Sequence, residues 1–247
     1  MSLGVHITGE ILGQKVHMDT LIYSWSIMGT ILFLSFLLTR NLKIEGYSLK
    51  QTILETIWGL INNLTSSQIP GNKGKNYIPL IGGIFIFTIC AYWLGLMPWK
   101  ALEVFSFWPI LDNGEHWEGS SPAADLNVTG GMALISLLTY IASGIKSGGI
   151  GYILNYFKPL GFVEWLDLIV RPLTLSLRLF ANTIAGEVLV TSILGLVALV
   201  LPMFALAFEL FIGLIQALVF SLLTTVYIGT AIAHSEHSEH SEHSKEH

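Results

Sequence analysis

Five stretches of the chain run apolar for about the length a bilayer demands, and the polar residues gather in the links between them. They cover residues 20–39, 77–97, 126–145, 173–201 and 203–233. A hydrocarbon core about 30 Å thick is crossed by roughly 20 helical residues, so the pattern predicts five membrane-crossing helices. The last two, divided by Pro202, exceed that length, which implies strong tilt or residence partly along the membrane plane. A different period holds over 48–64, where Leu49, Ile53, Ile57, Leu60 and Leu64 recur at helical spacing while Lys50, Gln51, Glu55 and Asn62 face elsewhere. That spacing predicts an amphipathic helix, lying either on the membrane surface or over other protein. The links carry the expected stops: Arg40 and Lys43 after the first stretch, Pro70, Gly71 and Gly74 before the second, and Pro98 and Trp99 after it. Residues 100–125 form an acidic, aromatic loop outside the membrane, and Gly148, Gly149 and Gly151 make a turn after the third stretch.

Composition fits the same solvent. Of the 247 residues, 52% are hydrophobic and 12% charged, about half the charge density of soluble domains. The fold class is therefore an all-α integral membrane protein, with one membrane domain over 1–233 and a tail over 234–247. The formal charge of -5 says little about partners, because four of the seventeen acids lie in that tail. Nothing in the composition calls for nucleic acid. The tail reads HSEHSEHSEHSKEH; its polarity and three-residue repeat predict disorder, and no metal site is assigned to it. Cys90 is the single cysteine, so no internal disulfide forms. Residues 1–19 lack the basic start of a cleavable signal peptide, and the first apolar stretch is expected to stay as an anchor.

Lysine and arginine orient the helices. Residues 40–76 and 146–158 hold seven basic residues, whereas 1–19 and 100–125 hold two. The positive-inside rule then puts the N-terminus outside and the C-terminus in the cytoplasm or its equivalent.

The charges inside the last two stretches carry the chemistry. Between Pro172 and His234 the charged side chains are Arg178, Glu187 and Glu209. Arginine keeps its proton even when buried, with a pKa above about 12, and at a helix centre in a bilayer it costs from about 2.5 to over 10 kcal/mol. At 100° per residue Arg171, Thr174, Arg178, Asn182 and Ala185 form one stripe, and Glu187 points to the opposite side. Glu209, Gln216 and Tyr227 share a stripe on the last helix, with Gly213 permitting close approach. Neighbouring helices of this kind bring Gln216 towards Arg178, and Glu187 towards Glu209. Each residue also has a plainer reading: a structural cation for Arg178, interhelical hydrogen bonding for Asn182 and Gln216, and an interface anchor for Tyr227.

RPLTLSLRLFANTIAGE at 171–187 and FELFIGLIQALVFSLLTTVYIG at 208–229 closely resemble the last two helices of subunit a of F-type ATP synthases. TRNL at 39–42, YIPLIGGIFIF at 77–87, MPWK at 97–100 and PAADLN at 122–127 look like its cyanobacterial and plastid branch. The resemblance implies a proton-translocating stator whose two long helices lie against a ring of c subunits, flanked by two half-channels. It implies Arg178 as the essential arginine facing the ring, Asn182 and Gln216 beside it, and Glu187 and Glu209 lining a half-channel as a pair that shares a proton. Tyr227 is carried over with the translocation residues, and Asp125 and Asn127 with the outer entrance. Ala181 stands where many members have glycine, Glu209 where some have histidine, and the tail has no counterpart.

The implied partners are the c ring, b-type peripheral stalk subunits, the remaining synthase subunits and membrane lipid, with no cofactor. The chain has no P-loop, so ATP chemistry is expected on another subunit and this one is not an enzyme. The tail favours a bacterial plasma membrane over a thylakoid or plastid one. A standalone ion channel or secondary antiporter is the alternative, and it differs in needing no ring to conduct.

Overall fold

A computed structural model describes residues 8–11, 14–40, 49–69, 71–96, 121–155, 161–196 and 200–243. Its body is helical: α1 (Met18–Thr39), α2 (Leu49–Gln68), α3 (Ile78–Leu96), α4 (Leu126–Asn155), α5 (Gly161–Leu196) and α6 (Val200–His243). Five of these contain segments long and apolar enough to cross a membrane: Thr20–Thr39, Lys73–Trp93, Leu126–Gly148, Leu166–Val190 and Met203–Ala233. Short 3-10 turns at Gly71–Tyr77 and Pro122–Ala124 lead into α3 and α4. The expected acidic loop up to residue 120, and the closing Pro98 and Trp99, lie outside the described residues.

The sequence reading did not foresee a small hairpin before α1. Strands β1 (Thr8–Ile11) and β2 (Gln14–His17) pair antiparallel, with Thr8 opposite His17 and Ile11 opposite Gln14. A pair of four-residue strands is too short for periodicity to announce it.

The interior mixes large apolar side chains with small and hydroxyl ones, and the exterior carries many large apolar ones. Thr88, Thr183, Ser221 and Thr224 are buried and return their hydroxyls to the carbonyl four residues back. Trp25, Phe33 and Phe204 are 66%, 62% and 70% exposed. In lipid, apolar side chains gain nothing by facing inward, so close backbone approach and hydrogen bonding hold helices together. One core cluster draws Ile27 from α1, Tyr92 from α3, Met132 from α4, Leu179 from α5 and Phe220 from α6. Helix α6 is the hub, packing against α2, α3, α4 and α5.

The amphipathic helix lies in part over other protein. Ile61 and Thr65 of α2 are buried and Ile57 and Leu60 pack on the α3 and α6 core, while Leu49, Ile53 and Trp58 remain exposed. Its C-terminal end meets α6 closely: a Cβ placed at Gly229 would lie 2.6 Å from the carbonyl oxygen of Gln68. Backbone cannot swing aside as a side chain does, so Gly229→Ala is expected to destabilise the fold by about 1–3 kcal/mol. Thermal or SDS denaturation of the purified chain in detergent measures this; an unchanged midpoint would contradict the contact.

Three boundaries differ from the sequence reading. In place of the expected turn at Gly148, Gly149 and Gly151, α4 stays helical to Asn155. The fourth helix does not begin after Pro172 but runs from Gly161 straight through it. Proline removes one backbone donor, the one that would serve the Leu168 carbonyl, and membrane helices tolerate that loss. At the far end, disorder was expected from residue 234, yet the backbone of α6 stays helical through His243. No glycine or proline follows Gly229 to stop it, and propagation adds a hydrogen bond with each residue.

Candidate functional site

Helix α5 carries Arg178 on a side that, among the described residues, no other helix covers. Leu175, Ser176, Leu179 and Thr183 are buried, whereas Leu173, Thr174, Leu177, Arg178, Ala181 and Ala185 are exposed. Among the described residues, no carboxylate pairs with Arg178 and no hydrogen bond satisfies its guanidinium. Arg178 therefore stands on an outward, largely apolar face, where hydrocarbon alone would be a costly neighbour.

Behind that face lies a polar group of side chains, centred on a residue the sequence reading missed. Tyr92 of α3 is 1% exposed, and its hydroxyl donates to the carbonyl of Leu179 at 3.3 Å. The side chains of Thr183 and Asn182 meet the same hydroxyl. Its ring presses on α6 at Gly213, where an added Cβ would come within 3.0 Å of three ring-side carbons. Tyr92 thus wedges between α5 and α6. The available signal was a tyrosine within an apolar span, since a phenol in hydrocarbon must find a partner.

Glu209 enters this group from α6. It is 3% exposed, and its carboxyl lies over Gly186: a Cβ there would be 2.7 Å from Glu209 Cδ and 3.1 Å from Cγ. Gly186 is a second residue the sequence reading passed over; its smallness leaves room for the carboxylate. Half-buried Glu187 is the next residue, and the charges of Glu187 and Glu209 are close enough to act on each other and on Tyr92.

Gln216 lies two turns further along the Glu209 stripe of α6 and is 7% exposed. Among the described residues no hydrogen bond joins it to Arg178. Three buried side-chain atoms have no hydrogen-bond partner among the described residues: Thr20 Oγ1, Glu209 Oε2 and Gln216 Nε2. Such an atom costs about 1–3 kcal/mol. That two of the three fall on one stripe of α6 marks it as a polar lane.

The structure divides the stripe that ran from Arg171 to Arg178. Arg171 points into protein, between the rings of Tyr140 and Tyr227, and pairs with Asp167. Tyr227 therefore stands with Arg171 and not with the carboxylates. Asp125 is buried and caps α4: its Oδ1 accepts the Asn127 N–H at 2.8 Å and its carbonyl accepts the Thr129 N–H at 3.1 Å, the usual service of an N-terminal aspartate. The Asn127 side chain is exposed.

Residues 21–229 match the family described as ATP synthase A chain. The chain is 35% identical to the ATP synthase subunit a of Gloeobacter violaceus, over 94% of its own length and 91% of that relative's. It is 34% identical to the chloroplastic ATP synthase subunit a of Stigeoclonium helveticum, over 94% and 92% of the two chains. The same protein of Bigelowiella natans is 34% identical, over 94% and 93%. The family match takes in every helix that carries Tyr92, Arg178, Glu209 and their neighbours, and on that extent the chain belongs to the ATP synthase A chain family.

Proposed function

We propose that this membrane subunit of an F-type ATP synthase couples proton flow to rotation by presenting Arg178 to the carboxylates of a passing ring of c subunits. The observation that carries the reading is an exposed arginine, on a face otherwise apolar, for which no described residue supplies a counter-charge. A permanent charge in such a place calls for a counter-charge from another chain. Asn182 and Gln216 then stand beside Arg178, and Glu187 and Glu209 line one of two half-channels, with Tyr92 closing it towards α3. Asp125 and Asn127 lie at the outer entrance.

In this reading the cation favours the ionised form of the ring carboxylate, so a proton must leave before that subunit passes. The subunit catalyses no bond making; without a P-loop in its sequence, ATP chemistry belongs to other subunits. Its partners are the c ring, b-type stalk subunits and the rest of the synthase. The N-terminus faces outward and the C-terminus the cytoplasm of a bacterial plasma membrane, as the lysine and arginine bias supports.

Reconstitution tests the assignment. Proteoliposomes holding the chain alone are expected to conduct no protons, and those holding the chain with its c ring are expected to leak protons down an imposed gradient. Conduction by the chain alone at the same rate would overturn the stator reading.

A further inference from the structure

We propose that Arg171 is a positioning residue for Arg178, held in a clamp of two aromatic rings, and that Tyr227 serves in that clamp as a ring face and not as a proton carrier. This rests on the reading of Arg178 given above.

Three N–H groups of the Arg171 guanidinium are hydrogen-bonded, and two aromatic rings lie against it. Its central carbon lies 4.7 Å from the centroid of the Tyr140 ring and 4.7 Å from that of Tyr227. Nε donates to Asp167 Oδ2 at 2.7 Å, Nη2 reaches the same oxygen, and Nη1 donates to Thr230 Oγ1 at 3.2 Å. Asp167 belongs to α5 itself, Tyr140 to α4, and Tyr227 and Thr230 to α6. One planar group therefore ties three helices together. Arginine suits the task because its fork and its flat face bind at once and its charge does not titrate away.

A lock is needed at this place. Pro172 follows directly and removes a backbone hydrogen bond just where α5 must keep its direction. Lipid supplies no hydrophobic force to hold one helix face inward, and the outward side of α5 is largely apolar around Arg178. Arg171 and Arg178 are seven residues apart, which is two turns and about 20° of rotation. Whatever fixes the rotation of α5 at Arg171 therefore fixes the direction of Arg178.

Tyr227 offers its ring here and little else. Its ring centroid lies 4.7 Å from the central carbon of Arg171, and among the described residues no direct hydrogen bond joins its hydroxyl to Glu187 or Glu209. Glu187 of α5 and Glu209 of the polar lane stand instead with Tyr92 and with each other. The groups facing Tyr227 are Arg171, Thr230 through its own turn, and the α4 residues beside Tyr140.

The test uses the whole synthase in inverted membranes, with ATP-driven proton pumping read per assembled complex and across pH. Tyr227→Phe keeps the ring and is expected to pump at the parental rate with the same pH profile. Tyr227→Leu combined with Tyr140→Leu removes both faces, and pumping is expected to fall about fivefold to tenfold, the scale of two cation–π contacts, while ATP hydrolysis continues. Deep loss or a displaced pH profile in Tyr227→Phe would show that the hydroxyl carries protons and would overturn the proposal, whether or not the double variant assembles. Undiminished pumping by the assembled double variant would overturn it too. Arg178→Lys in the same membranes separates the two claims: if that variant pumps, the reading of Arg178 has failed; if it does not and Tyr227→Phe is also dead, only the clamp has failed.

Discussion

Arg178→Lys is expected to abolish ATP-driven proton pumping, leaving no measurable acidification of inverted vesicles while the complex remains assembled. The substitution keeps the formal charge, so the expectation rests on how the two cations differ. Arginine stays ionised in any protein environment, whereas a lysine taken out of water surrenders its proton readily. Arg178 is exposed on the free face of α5, without a counter-charge among the described residues. A lysine there can turn neutral between successive ring carboxylates, and a neutral group no longer forces deprotonation. A protonated ring site then slips past unchanged, dissipating roughly 2.3 kcal/mol per proton for each 100 mV without useful rotation. Coupled pumping by Arg178→Lys at an ordinary rate would sink the assignment.

Glu209→Gln is expected to lower pumping by about a hundredfold or more, the scale of losing a positioned proton-transfer group, with subunit assembly unchanged. The amide has almost the carboxylate's shape and fits the same seat over Gly186. What it lacks is the ability to take up and release a proton. Glu209 is 3% exposed, with Oε2 unpartnered among the described residues, so its burial brings a cost that a purely structural side chain would shed. Pumping by Glu209→Gln close to the parental rate, measured per assembled complex, would remove Glu209 from the path.

Much of this was legible in the chain because a bilayer imposes a coarse rule. A crossing helix must satisfy its own backbone and present apolar side chains for some 20 residues, so five spans can be read from composition along the sequence. The intramembrane charges stand out for the same reason, each one an exception to that rule. Periodicity also set Arg178 and Glu187 on opposite sides of α5. It failed at Pro172, where the helix continues because a membrane helix tolerates the one backbone hydrogen bond that proline removes. Beyond Ala233 it failed again, because composition reports solvation and says nothing of whether an existing helix is interrupted.

Tyr92 and Gly186 were silent for a different reason. Neither residue is unusual in its own segment, and each matters through what a distant helix places against it: Gly213 and Leu179 against the tyrosine, Glu209 against the glycine. The helical wheel likewise put Arg171 and Arg178 within 20° of each other, yet one is sandwiched between Tyr140 and Tyr227 and the other exposed. Coverage by Tyr140 of α4 and Tyr227 of α6 makes that difference.

The sequence by itself determined that the chain spans a membrane, which side chains bring charge into it, and on which face of its own helix each one sits. Those properties follow from transfer into hydrocarbon and from the 100° step of the helix, and both act within one segment. Only the tertiary structure decided which faces are covered, which polar atoms are left without partners, and that Arg178 looks outward from the bundle. Those outcomes depend on contacts between helices far apart in the chain, and in lipid such contacts are set by close packing and hydrogen-bond geometry, which no single segment contains.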